Sequence, residues 1–198
     1  MPTRHGIIKM WISYSLQIWE IVLLTDIYLI RHGQPVHNPS IPYHTVPGPP
    51  LSDQGRAEAK AAAAFLTIAN IQHLFVSPFD RTTQTAEPII KQLGVDATFT
   101  PAVAEHGPGE NNGDVRTRMS ALLDRLDQGV LQRIGIVTHG SPIKEALMHL
   151  SNGQIDLSKH VYPGSNPAPT CGIWHIRYVN GQRSFTLVFK PLTPAAKI

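Results

Sequence analysis

Hydrophobic positions in this chain alternate between short unbroken runs and helical stripes. The run Ile27-Tyr28-Leu29-Ile30 is apolar and stops abruptly at Arg31-His32-Gly33. A run of this kind reads as a strand buried on both faces. Similar short runs recur at 73–76, 97–100 and 134–137. Helical patterns lie between them. Ser52 is placed as an N-cap before a run containing Ala57, Ala59, Ala61 to Ala64, Phe65 and Leu66, which strongly favours helix. A second helix is predicted over 81–93, with Gly94 as its C-terminal stop. A third is predicted from Asp114, read as its cap, with Val115, Met119, Leu122, Leu123 and Leu126 along one face. Pro142 is read as the first residue of a fourth, carrying Ile143, Ala146, Leu147 and Leu150. Two alternating segments, 172–179 and 184–189, flank Asn180-Gly181, a two-residue hairpin turn.

Alternating strands and helices predict an α/β fold. The expected architecture is a three-layer sandwich with a mostly parallel central sheet flanked by helices, plus a C-terminal hairpin. This domain is assigned to 26–190, with an extension at 1–25 and a loose tail at 191–198. Positions 7–24 are largely apolar but interrupted by Lys9, Gln17 and Glu20. A membrane span needs about 20 mostly apolar residues, so a membrane partner is not expected. The extension reads as a peripheral helix, a flexible arm or an over-long start. It also holds a second tripeptide, Arg4-His5-Gly6. No apolar strand precedes that copy, so it reads as coincidence.

Composition narrows the function classes. The net charge is +3 and the sequence pI about 9.1, without a lysine- and arginine-rich run. Nucleic acid is therefore not an expected partner. Cys171 is the only cysteine, which excludes an intrachain disulfide and fits a cytoplasmic protein. Ten histidines raise the question of a metal. No pair with metal-ligand spacing occurs, so no metal and no cofactor are expected, and His37, His44, His106 and His160 read as loop histidines.

The candidate chemistry lies at the strand ends. In open parallel sheets, ligands bind outside the carboxyl ends of the strands. The first strand delivers Arg31 and His32, the second leads to Arg81, the fourth delivers His139, and the third leads into a loop holding Glu105 and Glu110. Two guanidinium forks suit phosphate geometry, and a pocket of this kind makes sense around a dianion. For His32 to attack a phosphoryl group its imidazole must be neutral, with the Nδ1 proton held by an acceptor such as a backbone carbonyl.

The ordered set resembles the histidine phosphatase superfamily, the group containing cofactor-dependent phosphoglycerate mutase. It comprises Leu29 to Gly33, Asn38, Leu51-Ser52-Asp53-Gln54-Gly55, Ser77 to Ala86, Glu105 and Thr138-His139-Gly140. The resemblance implies that His32 is the nucleophile and forms a phosphohistidine. It implies that Arg31, Arg81 and His139 clamp the phosphoryl oxygens, with Asn38 and the backbone at Gly140 adding hydrogen bonds. Glu105 would be the acid, with Glu110 as the alternative; Asn38 also reads as a turn residue before Pro39. The expected substrate is a phosphorylated small molecule or phosphopeptide. Relatives often continue the tripeptide with Glu-Thr, where this chain has Gln34 and Pro35. The segment between Glu105 and His139 holds one helix, which implies an open site and hydrolysis rather than mutase chemistry. A catalytically weak phospho-ligand-binding protein is the reading from another class. The proline-rich stretch 34–50 and the loop 151–169 are where selectivity is expected.

Overall fold

The computed structural model describes residues 24–192. The readings made for the extension, including Arg4 to Gly6, and for the tail lie almost wholly outside the described residues.

Six strands form one sheet. Strand β1 is Asp26–Arg31, β2 His73–Val76, β3 Asp96–Phe99, β4 Arg133–Thr138, β5 Ile173–Val179 and β6 Gln182–Phe189. Their order is β3-β2-β4-β1-β5-β6. The first four run parallel, while β5 is antiparallel to β1 and to β6. Helices α1 (Asp53–Phe65), α2 (Asp80–Leu93), α3 (Asn112–Asp127) and α4 (Gly140–Leu150) complete the sandwich.

Period-2 alternation explains both cores. Ile27 and Leu29 of β1, Phe75 of β2 and Ile134 and Ile136 of β4 face Met119, Leu122 and Leu123 of α3 and Ile143 and Leu147 of α4. The intervening Tyr28, Ile30, Leu74, Val76 and Val137 face the alanines of α1 and Ile89 of α2. The runs look continuously apolar because both faces are covered. At the other end of the sheet, Asn180 (φ 51°) and Gly181 (φ 78°) form the two-residue hairpin turn, with both central residues in the left-handed region that such a turn requires.

Two helix starts differ from expectation. Helix α3 begins before Asp114. Asn111 is its N-cap and accepts from Gly113 N–H, while Asp114 accepts from Asn111 N–H, completing a capping box. Helix α4 begins at Gly140, so Pro142 is its third residue. Proline is tolerated there because the first four N–H groups of a helix lack intrahelical partners anyway.

One close approach sets the site's floor. Gly33, just after β1, and Gly55, in the first turn of α1, lie backbone to backbone. A Cβ at Gly33 would meet Gly55 O at 2.6 Å, and one at Gly55 would collide with Gln34 O. Alanine outranks glycine in a helix interior by ~1 kcal/mol, but overpacking against rigid backbone costs roughly 1–3 kcal/mol. The clash should win. Gly55→Ala is expected to lower the urea midpoint, and a raised midpoint would show that α1 can shift away from the loop.

Candidate active site

Register brings the two histidines together. Arg31 of β1 pairs with Thr138 of β4, so the next residues, His32 and His139, lie side by side. Their ring centroids are 5.1 Å apart, and both residues are buried. Strand β2 lies against the far side of β4, with Val76 opposite Val137. Ser77 therefore arrives beside His139. The chain then turns through Pro78 and Phe79 into α2, whose second residue is Arg81.

His32 is held by backbone on both flanks. Its N–H donates to Thr138 O, and its carbonyl accepts from Cys171 N–H. Its Nδ1 lies 2.8 Å from Gly33 O. A carbonyl can only accept, so Nδ1 carries the proton and the Nε2 lone pair is free. Burial, with the positive charges of Arg81 and Arg31, holds the imidazole neutral by pushing its pKa well below 6.5. His139 is depressed in the same way, by burial first and then by His32 and the arginines. Its Nδ1 accepts from Arg81 Nε at 3.3 Å, so its Nε2 donates to Ser77 Oγ at 2.7 Å.

The two guanidiniums are buried and only partly satisfied. Arg31 Nη1 donates to Ala168 O at 2.7 Å. Arg81 lies between the rings of Tyr43 and Phe79, 4.4 and 4.3 Å from their centroids, and donates to Tyr43 O. Its hydrogen bonds go to these partners rather than to the neighbouring Asp80. Arg31 Nε and Arg81 Nη2 are buried without a hydrogen-bond partner among the described residues. Desolvation lowers both pKa values, yet guanidinium stays charged. Two unpaired N–H donors on buried cations, beside two neutral imidazoles, make a receptor for a compact anion.

The carboxylates separate cleanly. Glu105 is largely buried, and its charge acts on both Arg31 and Arg81. Glu110 points outward, engaged by Gly107 N–H and Arg118. The Gly107 N–H and then the Arg118 cation hold its pKa below the usual carboxylate value. The loop bearing Glu105 is tied down from two sides. Thr138 Oγ1 donates to Val103 O, and Arg118 donates to the carbonyls of Pro101, Ala102 and Glu105.

Asn38 is not brought into this cluster. Its Oδ1 accepts from Ser40 N–H in an exposed turn, so the turn reading describes its position. Gly140 is buried at the start of α4, and the Asn166 side chain fills the place a Cβ would take. The expectation of an open site needs correction on one side. Only α3 lies between Glu105 and β4, but the loop after β1 supplies cover, with Tyr43 over Arg81. The sequence alone assigns no site role to Ser77, Thr85, Glu58 and His106. Thr85 Oγ1 accepts from Gly33 N–H and donates to Arg81 O. Glu58 accepts from Gln34 N–H. His106 is a loop histidine as read, and its Nδ1 lies 3.0 Å from Glu105 Oε1. The available signals were weak: Thr85 falls one helical turn after Arg81, and Ser77 precedes a proline at a strand end.

The α/β sandwich thus gathers two neutral histidines and two partly unpaired arginines at its parallel strand ends. Comparison with known proteins gives the family. Residues 27–110 and 100–190 match the model of the histidine phosphatase superfamily (branch 1), and the chain belongs to that superfamily. The protein Rv0525 of Mycobacterium tuberculosis, named as uncharacterized, is 42% identical, with 66% of this chain and 81% of that protein covered. A Cronobacter sakazakii protein named as a probable phosphoglycerate mutase, GpmB, is 24% identical over 73% of this chain and 67% of its own length. Among solved structures, a mycobacterial glucosyl-3-phosphoglycerate phosphatase in complex with VO3 superposes with a TM-score of 0.62 at 17% identity, covering 84% and 98% of the two chains. Bacillus stearothermophilus YhfR superposes at 0.65 with 18% identity, covering 83% and 96%. Among the described residues no helix is long and apolar enough to cross a membrane.

The buried histidines have a thermodynamic consequence. Both are neutral when folded, while in the unfolded chain each takes up a proton near pH 6.5. Below that pH the unfolded state binds more protons, so stability falls as pH falls, by up to ~1.4 kcal/mol per pH unit for each histidine. Urea unfolding from pH 6.5 to 5.5 should show this slope, and His32→Gln combined with His139→Gln should remove most of it. An unchanged slope in the double variant would place the proton uptake elsewhere.

Proposed function

We propose that the protein is a metal-independent phosphomonoester hydrolase working through a phosphohistidine on His32. The observation that carries this reading is the free Nε2 of a neutral His32, its Nδ1 proton held by Gly33 O, beside Arg31 Nε and Arg81 Nη2 with no partner of their own. The phosphoryl oxygens supply acceptors for those donors. His32 Nε2 attacks phosphorus, and the P–O bond to the alcohol breaks with its electron pair going to the leaving oxygen. Glu105, protonated, gives that oxygen its proton. The resulting carboxylate then takes a proton from water as it attacks phosphorus, the P–N bond breaks with its electron pair returning to His32 Nε2, and phosphate is released. The guanidiniums stabilise the charge on the equatorial oxygens, the main demand of phosphoryl transfer. His139, expected to clamp the phosphoryl oxygens, has both ring nitrogens engaged by Arg81 and Ser77, and its role becomes that of positioning Arg81.

A mutase is the second reading, favoured by the name carried by the GpmB relatives. It differs in the acceptor: a second substrate hydroxyl rather than water takes the phosphoryl group. The single helix between Glu105 and β4 favours water.

His32→Ala should abolish hydrolysis of an aryl phosphate, and labelled wild-type enzyme quenched in alkali should retain phosphate on His32. A variant keeping most of its activity would remove His32 as nucleophile. Glu105→Gln should slow turnover of alkyl phosphates, whose leaving groups are poor, by ~10²–10⁴-fold. Glu110→Gln should change it little; the reverse ranking would make Glu110 the acid. Chelators should leave the rate unchanged, because the arginines supply the positive charge, and a loss restored by added metal would overturn that point.

A further inference from the structure

Glu105 has the charged receptor on one side and an apolar space on the other. A cavity of about 630 Å3 borders Glu105 and is walled by Val46, Phe79, Pro101, Ala102, Ala104 and Pro108. Phe79 belongs to both spaces, since it also carries Arg81 on its ring and meets His139 edge-on. His44 completes a wall, its ring 4.7 Å from that of His106. Val46 is half exposed, an apolar side chain left open to solvent at the cavity.

The cavity's one lysine or arginine is Arg118, and its guanidinium is already spent. Nη1 donates to Pro101 O and Ala102 O, and Nη2 to Glu105 O and the Glu110 carboxylate. Among the described residues no guanidinium or ammonium is left there to receive a second phosphate or a carboxylate. Burying an unpaired anion against prolines, alanines and a phenylalanine is strongly unfavourable.

Three other cavities compete less well. That of about 760 Å3 lined by the loop after β1 includes Tyr43 but not Glu105. One of about 500 Å3 borders Arg31 and includes Gln34, Gln54, Glu58 and Lys190, but it does not touch Glu105. Another, beside Asp127 and Arg183, borders none of the cluster residues. A leaving oxygen within reach of Glu105 must carry its organic group past that carboxyl, and the apolar cavity is the space that borders it.

We propose that this cavity holds the organic part of the substrate, and that the substrate is a phosphomonoester of an apolar alkyl or aryl alcohol without a second anionic group. The proposal rests on the phosphohydrolase reading and names its substrate class. It also sets this chain apart from enzymes acting on phosphoglycerates, whose carboxylate would find no free lysine or arginine here among the described residues.

The test uses n-alkyl phosphates from methyl to hexyl, whose leaving groups have nearly equal basicity. Each added methylene should raise kcat/KM by about three- to fourfold until the cavity is filled, the factor expected for burying one methylene. Hexyl phosphate should exceed 3-phosphoglycerate by at least tens of fold. Val46→Asp should flatten the series, and Val46→Ile should preserve it. The matching n-alkylphosphonates, which cannot be hydrolysed, are titrated by calorimetry in parallel. Turnover without dependence on chain length leaves the hydrolase standing and overturns the cavity assignment, as does a preference for phosphoglycerate. Phosphonate affinity that rises with chain length but without turnover of any ester supports the cavity and overturns the hydrolase. Phosphonates that bind without chain-length dependence, or do not bind at all, sink the substrate class whatever the turnover.

Discussion

Two buried guanidinium groups that cannot satisfy all their own hydrogens constrain everything around them. A buried cation without full pairing costs several kcal/mol, and Arg31 and Arg81 also repel one another. The fold tolerates them by surrounding them with acceptors and π faces: Ala168 O, Tyr43 O, His139 Nδ1, and the rings of Tyr43 and Phe79. Burial first, and then the same positive charges, keep His32 and His139 neutral. A neutral imidazole with a free Nε2 thus follows from its burial beside these two cations. Strain of this kind is held at functional sites because a bound ligand relieves it.

The sheet topology makes this arrangement possible with little machinery. Strands β1 and β4 are parallel neighbours, so their two following histidines meet without any loop to position them. Arg81 needs only the short Ser77-Pro78-Phe79 turn from β2. The elements with freedom to vary lie outside this frame. The loop after β1 leaves and returns through a small ladder, with Val36 N–H donating to Pro50 O and Ser52 N–H to Gln34 O. The Glu105 loop is tethered by Arg118 and Thr138. The histidines and arginines thus sit at strand ends and a first helical turn, while the loops around them are anchored at both sides.

Much of this was readable in the linear chain. Strand ends, helix stops and the hairpin follow from local patterning, and the residues at strand ends inherit their position from it. That is why Arg31, His32, Arg81 and His139 were legible, with their convergence at one sheet edge. Asn38 was less so, because an asparagine before proline is equally at home in its own turn. The same limit applied to Glu105 and Glu110, which share one polar loop five residues apart. They part because Gly107 N–H and Arg118, from α3, claim Glu110, and Arg118 also ties down the loop backbone.

The chain by itself determined the α/β alternation, the parallel edge, and the residue types that a phosphoryl site needs, since these depend on periodicity and on spacing within single elements. Tertiary structure alone decided the rest. The opposition of Arg31 to Thr138, the proton on His32 Nδ1, the Ser77 bond to His139, the cover of Tyr43 over Arg81 and the apolar cavity beyond Glu105 each join residues distant in sequence or depend on the dihedral path of a loop. Strand register and loop closure are set by packing across the whole sheet, and no local window contains that information.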